Sequence, residues 1–194
     1  MHPKLDNYQL SWLELIEKTR QNSGKENLLK AVGKFSEHIT IYDLTAGLGR
    51  DTVILARHGF KVRAFEKNPV LFALLQKAHQ ELLASKYQEI AKKITLINQD
   101  SLEFLAKHQP GETEIFYIDA MFPERKKSAL VKKDMQFLQQ LVGDNDNAAE
   151  LLQAAQPFGK TILKRPKTAP PLSSPHHIVK GSKIIFYIYS KSPY

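Results

Sequence analysis

The chain has 194 residues, a length that favours one domain with a substantial core. A formal net charge of +8 favours a polyanionic partner, and the absence of cysteine excludes disulfides, cysteine nucleophiles and cysteine-ligated zinc. No apolar run approaches the ~20 residues of a membrane span, and Met1–Arg20 lacks the apolar core of a secretory signal, so a cytoplasmic protein without membrane contact is expected.

Residues 1–38 read as a short N-terminal appendage to a domain of residues 39–194. In the appendage, Tyr8–Ile16 is amphipathic and Gly24–Val32 has a helical pattern. An alternation of strand and helix begins at Ile39. Ile39–Leu44 is β-prone and leads through a small-residue turn into a helix at Thr52–His58. Lys61–Phe65 is the second strand and Pro69–Leu83 a strong helix, with proline in its first turn. Ile94–Asn98 follows as a third strand, and Ser101 is read as the cap of a short helix, Leu102–Lys107. Glu114–Ile118 is the fourth strand. Lys127–Val142 is helical in pattern, and Glu150–Gln156 leads to a fifth strand at Thr161–Lys164. A proline- and serine-rich loop, Pro166–His176, precedes a last strand at Lys183–Tyr189. The pattern predicts an α/β fold, a mostly parallel sheet with helices on both faces.

The most informative stretch is Asp43-Leu44-Thr45-Ala46-Gly47-Leu48-Gly49-Arg50-Asp51, followed one helix later by Glu66 at a strand end. Gly47 and Gly49 allow a sharp turn and a close approach of backbone to ligand. A carboxylate at position 66 can take both hydroxyls of a ribose. A dinucleotide site would carry G-x-G-x-x-G with a helix N-terminus aimed at pyrophosphate. Here Asp43 ends the strand, and an acid there suits a ligand with a positive centre, such as S-adenosylmethionine, better than NAD. The competing reading is a turn that only packs a helix on a sheet.

Asp43, Glu66, Asp100 and Asp119 all fall at the carboxyl ends of strands, where parallel α/β sheets bind ligands. Each alone also reads as a helix cap or turn residue. Asp119-Ala120-Met121-Phe122-Pro123 adds a chemistry. An exocyclic amine on a nucleobase is a poor nucleophile because its lone pair is delocalised into the ring. Asp119 can accept a hydrogen bond from such an amine, aided by the Ala120 carbonyl, and Phe122 offers a stacking surface for an unpaired base. This is the arrangement of the Asp/Asn-Pro-Pro-aromatic motif of amino-methyltransferases.

The positive charge is concentrated. Glu124–Asp134 holds Arg125, Lys126, Lys127, Lys132 and Lys133 against two acids, and Lys160, Lys164, Arg165 and Lys167 form a second cluster. From these, Lys126, Lys127, Lys132, Lys133, Lys164 and Arg165 are the candidate RNA contacts. His58, His108 and the pair His176-His177 lack metal-ligand spacing with carboxylates, and no metal is expected.

Asp43–Asp51, Glu66-Lys67-Asn68-Pro69, Met121-Phe122-Pro123, Lys127–Lys133, Gln140-Leu141-Val142-Gly143, Lys164-Arg165-Pro166 and Ala169-Pro170-Pro171-Leu172 together resemble the RsmJ type of bacterial 16S ribosomal RNA guanine-N2 methyltransferase. The resemblance implies a class I, Rossmann-like methyltransferase fold with a seven-stranded sheet. It implies adenosylmethionine contacts at Arg50, Asp51, Glu66, Lys67, Asp100, Ser101 and Asp119. It also implies methyl transfer to N2 of a guanine in 16S rRNA or the small ribosomal subunit. Two departures stand out. Residue 120 is alanine where the family has proline, and the family's longer basic, glycine-rich N-terminal segment is represented only by Lys18–Lys25. The alternatives are amino-methylation of another RNA or of a DNA base, and a relative that binds RNA without catalysis. The oligomeric state is open.

Overall fold

The computed structural model describes residues 10–18, 23–111, 113–120 and 147–190. Strands β1 (Thr40–Asp43), β2 (Lys61–Phe65), β3 (Ile94–Ile97), β4 (Glu114–Ile118) and β5 (Lys160–Pro166) are parallel. With β6 (His177–Lys180) and β7 (Ile184–Tyr189) they form a seven-stranded sheet in the order β3-β2-β1-β4-β5-β7-β6. β7 is antiparallel to both β5 and β6, so the sheet is mixed. β1 lies between β2 and β4, and the strand order reverses there. A crevice beyond the carboxyl ends of β1 and β4 is the consequence, and open α/β sheets bind ligands at such a point.

Successive side chains on a strand point to opposite faces, and that period sorts the core into two layers. Ile41, Val62, Ala64, Ile115, Tyr117, Ile162, Phe186 and Ile188 pack with α1 (Trp12–Lys18), α2 (Ser23–Val32), α3 (Arg50–Arg57), α4 (Pro69–Leu83) and α5 (Gln88–Ala91). Tyr42, Phe65, Phe116, Ile118, Leu163, Ile185, Tyr187 and Tyr189 pack on the other side with α6 (Ser101–Leu105) and α7 (Ala148–Ala155). α4 starts where expected because Asn68 caps it: its Oδ1 accepts from Val70 N at 2.9 Å and Leu71 N at 3.2 Å, and Pro69 takes the first helical position.

Some boundaries differ from the sequence expectation. Asp100, not Ser101, is the N-cap of α6, with its carboxylate accepting from Leu102 N at 2.8 Å. α5 and β6 were not anticipated. β6 is four residues of mostly exposed edge strand, held by β7 and too short to show a period. The helix expected at Lys127–Val142 lies outside the described residues. Among those described, no helix is long and apolar enough to cross a membrane.

The segment before β1 packs into the core. Trp12 is 1% exposed, and its Nε1 donates to the Leu48 carbonyl at 3.0 Å, from beneath the glycine turn. Gly49 has φ of +67°, and a Cβ there would collide with the Trp12 indole and lie 2.9 Å from Leu75 Cδ2. α1 and α4 therefore close on the turn from below. Trp12→Ala should cost about 3–5 kcal/mol of stability and loosen the turn, measured by urea unfolding alongside ligand affinity. Wild-type values for both would show that the indole supports neither.

Candidate functional site

Asp43 ends β1 with its carboxylate turned inward, 2% exposed. Its Oδ1 accepts from Thr45 N at 3.2 Å and its Oδ2 from Thr52 Oγ1, on α3, at 2.5 Å. Burial pushes this carboxyl up to about 7, the Thr52 and Thr45 hydrogen bonds only partly opposing it. Asp43 thus braces the loop between β1 and α3. Gly47 and Gly49 both have positive φ in that loop, and Gly49 is the residue preceding α3.

Glu66, beyond β2, reaches back to the same loop. Its Oε2 accepts from Gly47 N at 3.1 Å and its Oε1 from Asn68 N at 2.7 Å. Burial raises this carboxyl, and the two backbone donors favour the ionised form. Beyond β3, Ser101 Oγ donates to the Leu44 carbonyl at 2.6 Å, fastening α6 to the end of β1. Asp100 and Lys67 meet as an ion pair at 3.2 Å. Burial works against the Asp100 charge, but donation from Leu102 N and from Lys67 outweighs it and holds the carboxyl below its ordinary value.

The fourth group lies where β4 and β5 end. Asp119 N donates to Thr45 Oγ1 at 2.6 Å, tying the end of β4 to the glycine loop. Lys164, on β5, places Nζ 2.7 Å from Asp119 Oδ2 and 2.6 Å from Asp51 Oδ2. Tyr117 OH donates to the same Asp51 oxygen at 2.5 Å. Strand alternation explains the meeting: Tyr117 and Ile162 both face α3, Lys164 lies two residues further along β5, and Asp119 lies just past the end of β4. The Asp119 side chain is 40% exposed; partial desolvation and the Asp51 charge raise its carboxyl, while Lys164 lowers it.

The crevice therefore brings together Asp43, Gly47, Gly49, Asp51, Glu66, Lys67, Asp100, Ser101 and Asp119. Arg50 opens α3 and is exposed. The second basic cluster does not form an exposed patch. Lys164 is enclosed between carboxylates, Arg165 is 6% exposed, Lys160 Nζ donates to the Val32 carbonyl at 2.9 Å, and only Lys167 is at the surface. Phe122, Lys126, Lys127, Lys132 and Lys133 lie outside the described residues. Sequence reading missed Thr45, Thr52, Tyr117 and the inward role of Lys164. Thr52 had a signal, as a hydroxyl on the apolar face of α3, and Tyr117 another, two residues before Asp119 on one strand. Among the described residues no group of acids and histidines could hold a metal.

Because its folded value lies above the ordinary 3.8, Asp43 binds its proton more tightly in the folded chain. Its contribution to stability is present below about pH 4 and is lost as pH rises towards about 7. Asp43→Asn should therefore flatten the fall in stability between pH 4 and pH 7, seen in urea midpoints across that range. Parallel wild-type and variant curves would place the titration of Asp43 elsewhere.

A family model described as "Putative SAM-dependent methyltransferase" matches residues 3–191. A ribosomal RNA small subunit methyltransferase J from Legionella pneumophila (strain Lens) is 38% identical over 192 residues, covering 96% of this chain and 78% of the relative. One of the same name from Marinobacter nauticus is 38% identical over 167 residues, 82% of this chain, and the alignment spans 60% of that relative's length. Among solved structures, a SAM-dependent methyltransferase from Neisseria gonorrhoeae superposes with a TM-score of 0.75 at 27% identity, covering 95% of this chain and 74% of that one. With its fold and its sequence both matched over nearly its whole length, the chain belongs to the SAM-dependent methyltransferase family that includes the ribosomal RNA small subunit methyltransferases J.

Proposed function

We propose that the chain binds S-adenosylmethionine at the carboxyl edge of its sheet and transfers the methyl group to N2 of a guanine in 16S rRNA, free or in the small subunit, in the cytoplasm. The observation that carries this reading is the 38% identity, over 96% of the chain, to a relative named ribosomal RNA small subunit methyltransferase J.

The donor set fits the cofactor. Asp43, Asp51, Glu66 and Asp119 line the crevice, with Lys164 engaged between two of them. Such an edge attracts a sulfonium and an ammonium and repels a pyrophosphate. Glu66 would hold the ribose hydroxyls, its ionised form favoured by Gly47 N and Asn68 N. Gly47 would keep a side chain off the ligand, while Gly49 makes room for Trp12 and Leu75 beneath the turn. The Asp100–Lys67 pair and the N-terminal end of α6 would border the adenosine.

S-adenosylmethionine supplies an electrophilic methyl group when bound. The protein's part is to hold the guanine amine against it. Asp119 would accept a hydrogen bond from that amine, biasing its lone pair towards the methyl group, and would provide a carboxylate beside the proton that the amine sheds. Phe122 would stack on the base, and Lys126, Lys127, Lys132 and Lys133 would bind RNA phosphates. Lys164 and Arg165 are not proposed as phosphate contacts, because both are enclosed.

Tritiated methyl transfer to small subunits and to naked 16S rRNA lacking native methylation, with nucleoside analysis, tests the reading. Label should appear as N2-methylguanosine. Asp119→Ala should lower the rate by about 10²-fold or more while the fold is retained. Label on a different nucleoside, or none on either RNA, would overturn the substrate assignment.

A further inference from the structure

One basic residue of the crevice is largely enclosed by carboxylates. Lys164 Nζ lies 2.7 Å from Asp119 Oδ2 and 2.6 Å from Asp51 Oδ2, and its side chain is 18% exposed. A lysine gains nothing for phosphate binding by such a placement. We propose that Lys164 is a positioning residue for methyl transfer, holding Asp119 as an oriented carboxylate acceptor while Asp51 and Tyr117 hold the lysine. The proposal rests on the reading of Asp119 given above.

Three features of the geometry support it. First, the ammonium engages Oδ2 of Asp119, which among the described residues leaves Oδ1 able to accept from a base amine, and the backbone N–H of Asp119 is tied separately to Thr45 Oγ1 at 2.6 Å. Lys164 thus holds one carboxylate oxygen, and the Thr45 hydroxyl holds the backbone that carries the side chain. Second, the lysine is itself fixed. Asp51 takes its second hydrogen bond, and Tyr117 OH donates to that same Asp51 Oδ2. The chain Tyr117–Asp51–Lys164–Asp119 runs from α3 and β4 to β5 and back, all on one sheet face.

Third, among the described residues the charges around Asp119 leave it dependent on the lysine. Asp51 from α3 is a like charge, Asp43 from β1 is a carboxyl that burial pushes up to about 7, Tyr117 from β4 is neutral, and Lys164 from β5 supplies the cation. Partial desolvation of Asp119, whose side chain is still 40% exposed, and the Asp51 charge favour its protonated form, and Lys164 opposes them. A protonated carboxyl would present a donor to an amine that itself needs an acceptor. Lys164 keeps its proton throughout, held well above its ordinary value by the two aspartates despite burial.

Lys164→Gln tests this by two readouts. Carboxyl-labelled aspartate followed by carbon NMR, with Asp119 assigned through Asp119→Asn, reads the titration midpoint of Asp119 without any activity. Single-turnover methyl transfer against pH reads its consequence. The midpoint should rise by about 1–3 pH units, and the acidic limb of the rate profile should rise with it. The rate at neutral pH should fall by about tenfold or more, with recovery towards alkaline pH and little change in the KM for adenosylmethionine. Lys164→Arg, which keeps the charge, should leave the midpoint near wild type. Should Lys164→Gln not fold, the charge-balanced Lys164→Gln/Asp51→Asn variant gives the same comparison, its midpoint again above wild type because the ammonium that donates to the carboxylate is gone.

An unmoved Asp119 midpoint in whichever variant folds would overturn the proposal. So would a defect confined to KM with an unshifted acidic limb. A wild-type chain that methylates no RNA, yet shows the lysine-dependent midpoint, would overturn the functional reading and leave the coupling between Lys164 and Asp119 standing.

Discussion

A buried carboxylate at the end of β1 organises this molecule. Asp43 is 2% exposed, and it is held by one hydroxyl from α3 and one backbone N–H of the following loop. A charge so placed costs free energy unless it is hydrogen-bonded, so the loop must fold to supply the N–H and α3 must present Thr52. Those demands set the path of the chain through Gly47 and Gly49. From there, Thr45 reaches Asp119 N, Glu66 reaches Gly47 N, and Ser101 reaches the Leu44 carbonyl. The ends of β1, β2, β3 and β4 are thereby linked by side chains as well as by the ladder beneath them.

The same links concentrate negative charge on one edge. Asp43, Asp51, Glu66 and Asp119 converge where the strand order reverses, and burial favours the neutral form of Asp43 and Glu66. A cationic nucleoside would relieve that tension, and a phosphate would worsen it. In a chain of net charge +8, the crevice is thus opposite in sign to the molecule around it. A basic chain can hold an anionic pocket when the acids gather at one sheet edge. The enclosure of Lys164 between Asp51 and Asp119 shows that a lysine in the sequence need not belong to the surface.

Much of the frame was legible in the sequence. β2, α4 and β4 match their expected limits, Lys61–Phe65, Pro69–Leu83 and Glu114–Ile118, because period, proline position and acid punctuation agree there. The carboxylates at the strand ends were legible for the same reason. What the sequence hid depends on approach across the fold. Thr52 meets Asp43 only once α3 has docked, and Lys164 meets Asp51 across 113 residues of chain. Trp12 lies beneath the glycine turn in a segment that read as an appendage, since nothing local marks an indole as the partner of Leu48 O. β6 escaped because an exposed four-residue edge strand has neither burial nor period to announce it.

The central claim is that this acid-lined edge selects a sulfonium nucleoside. Calorimetric titration of the intact chain with S-adenosylmethionine and with NAD, repeated for Glu66→Gln, tests it most directly. The account predicts saturable binding of adenosylmethionine, no comparable binding of NAD, and at least about a tenfold loss in the variant. Equal affinity for the two ligands, or full affinity without the Glu66 carboxylate, would contradict it.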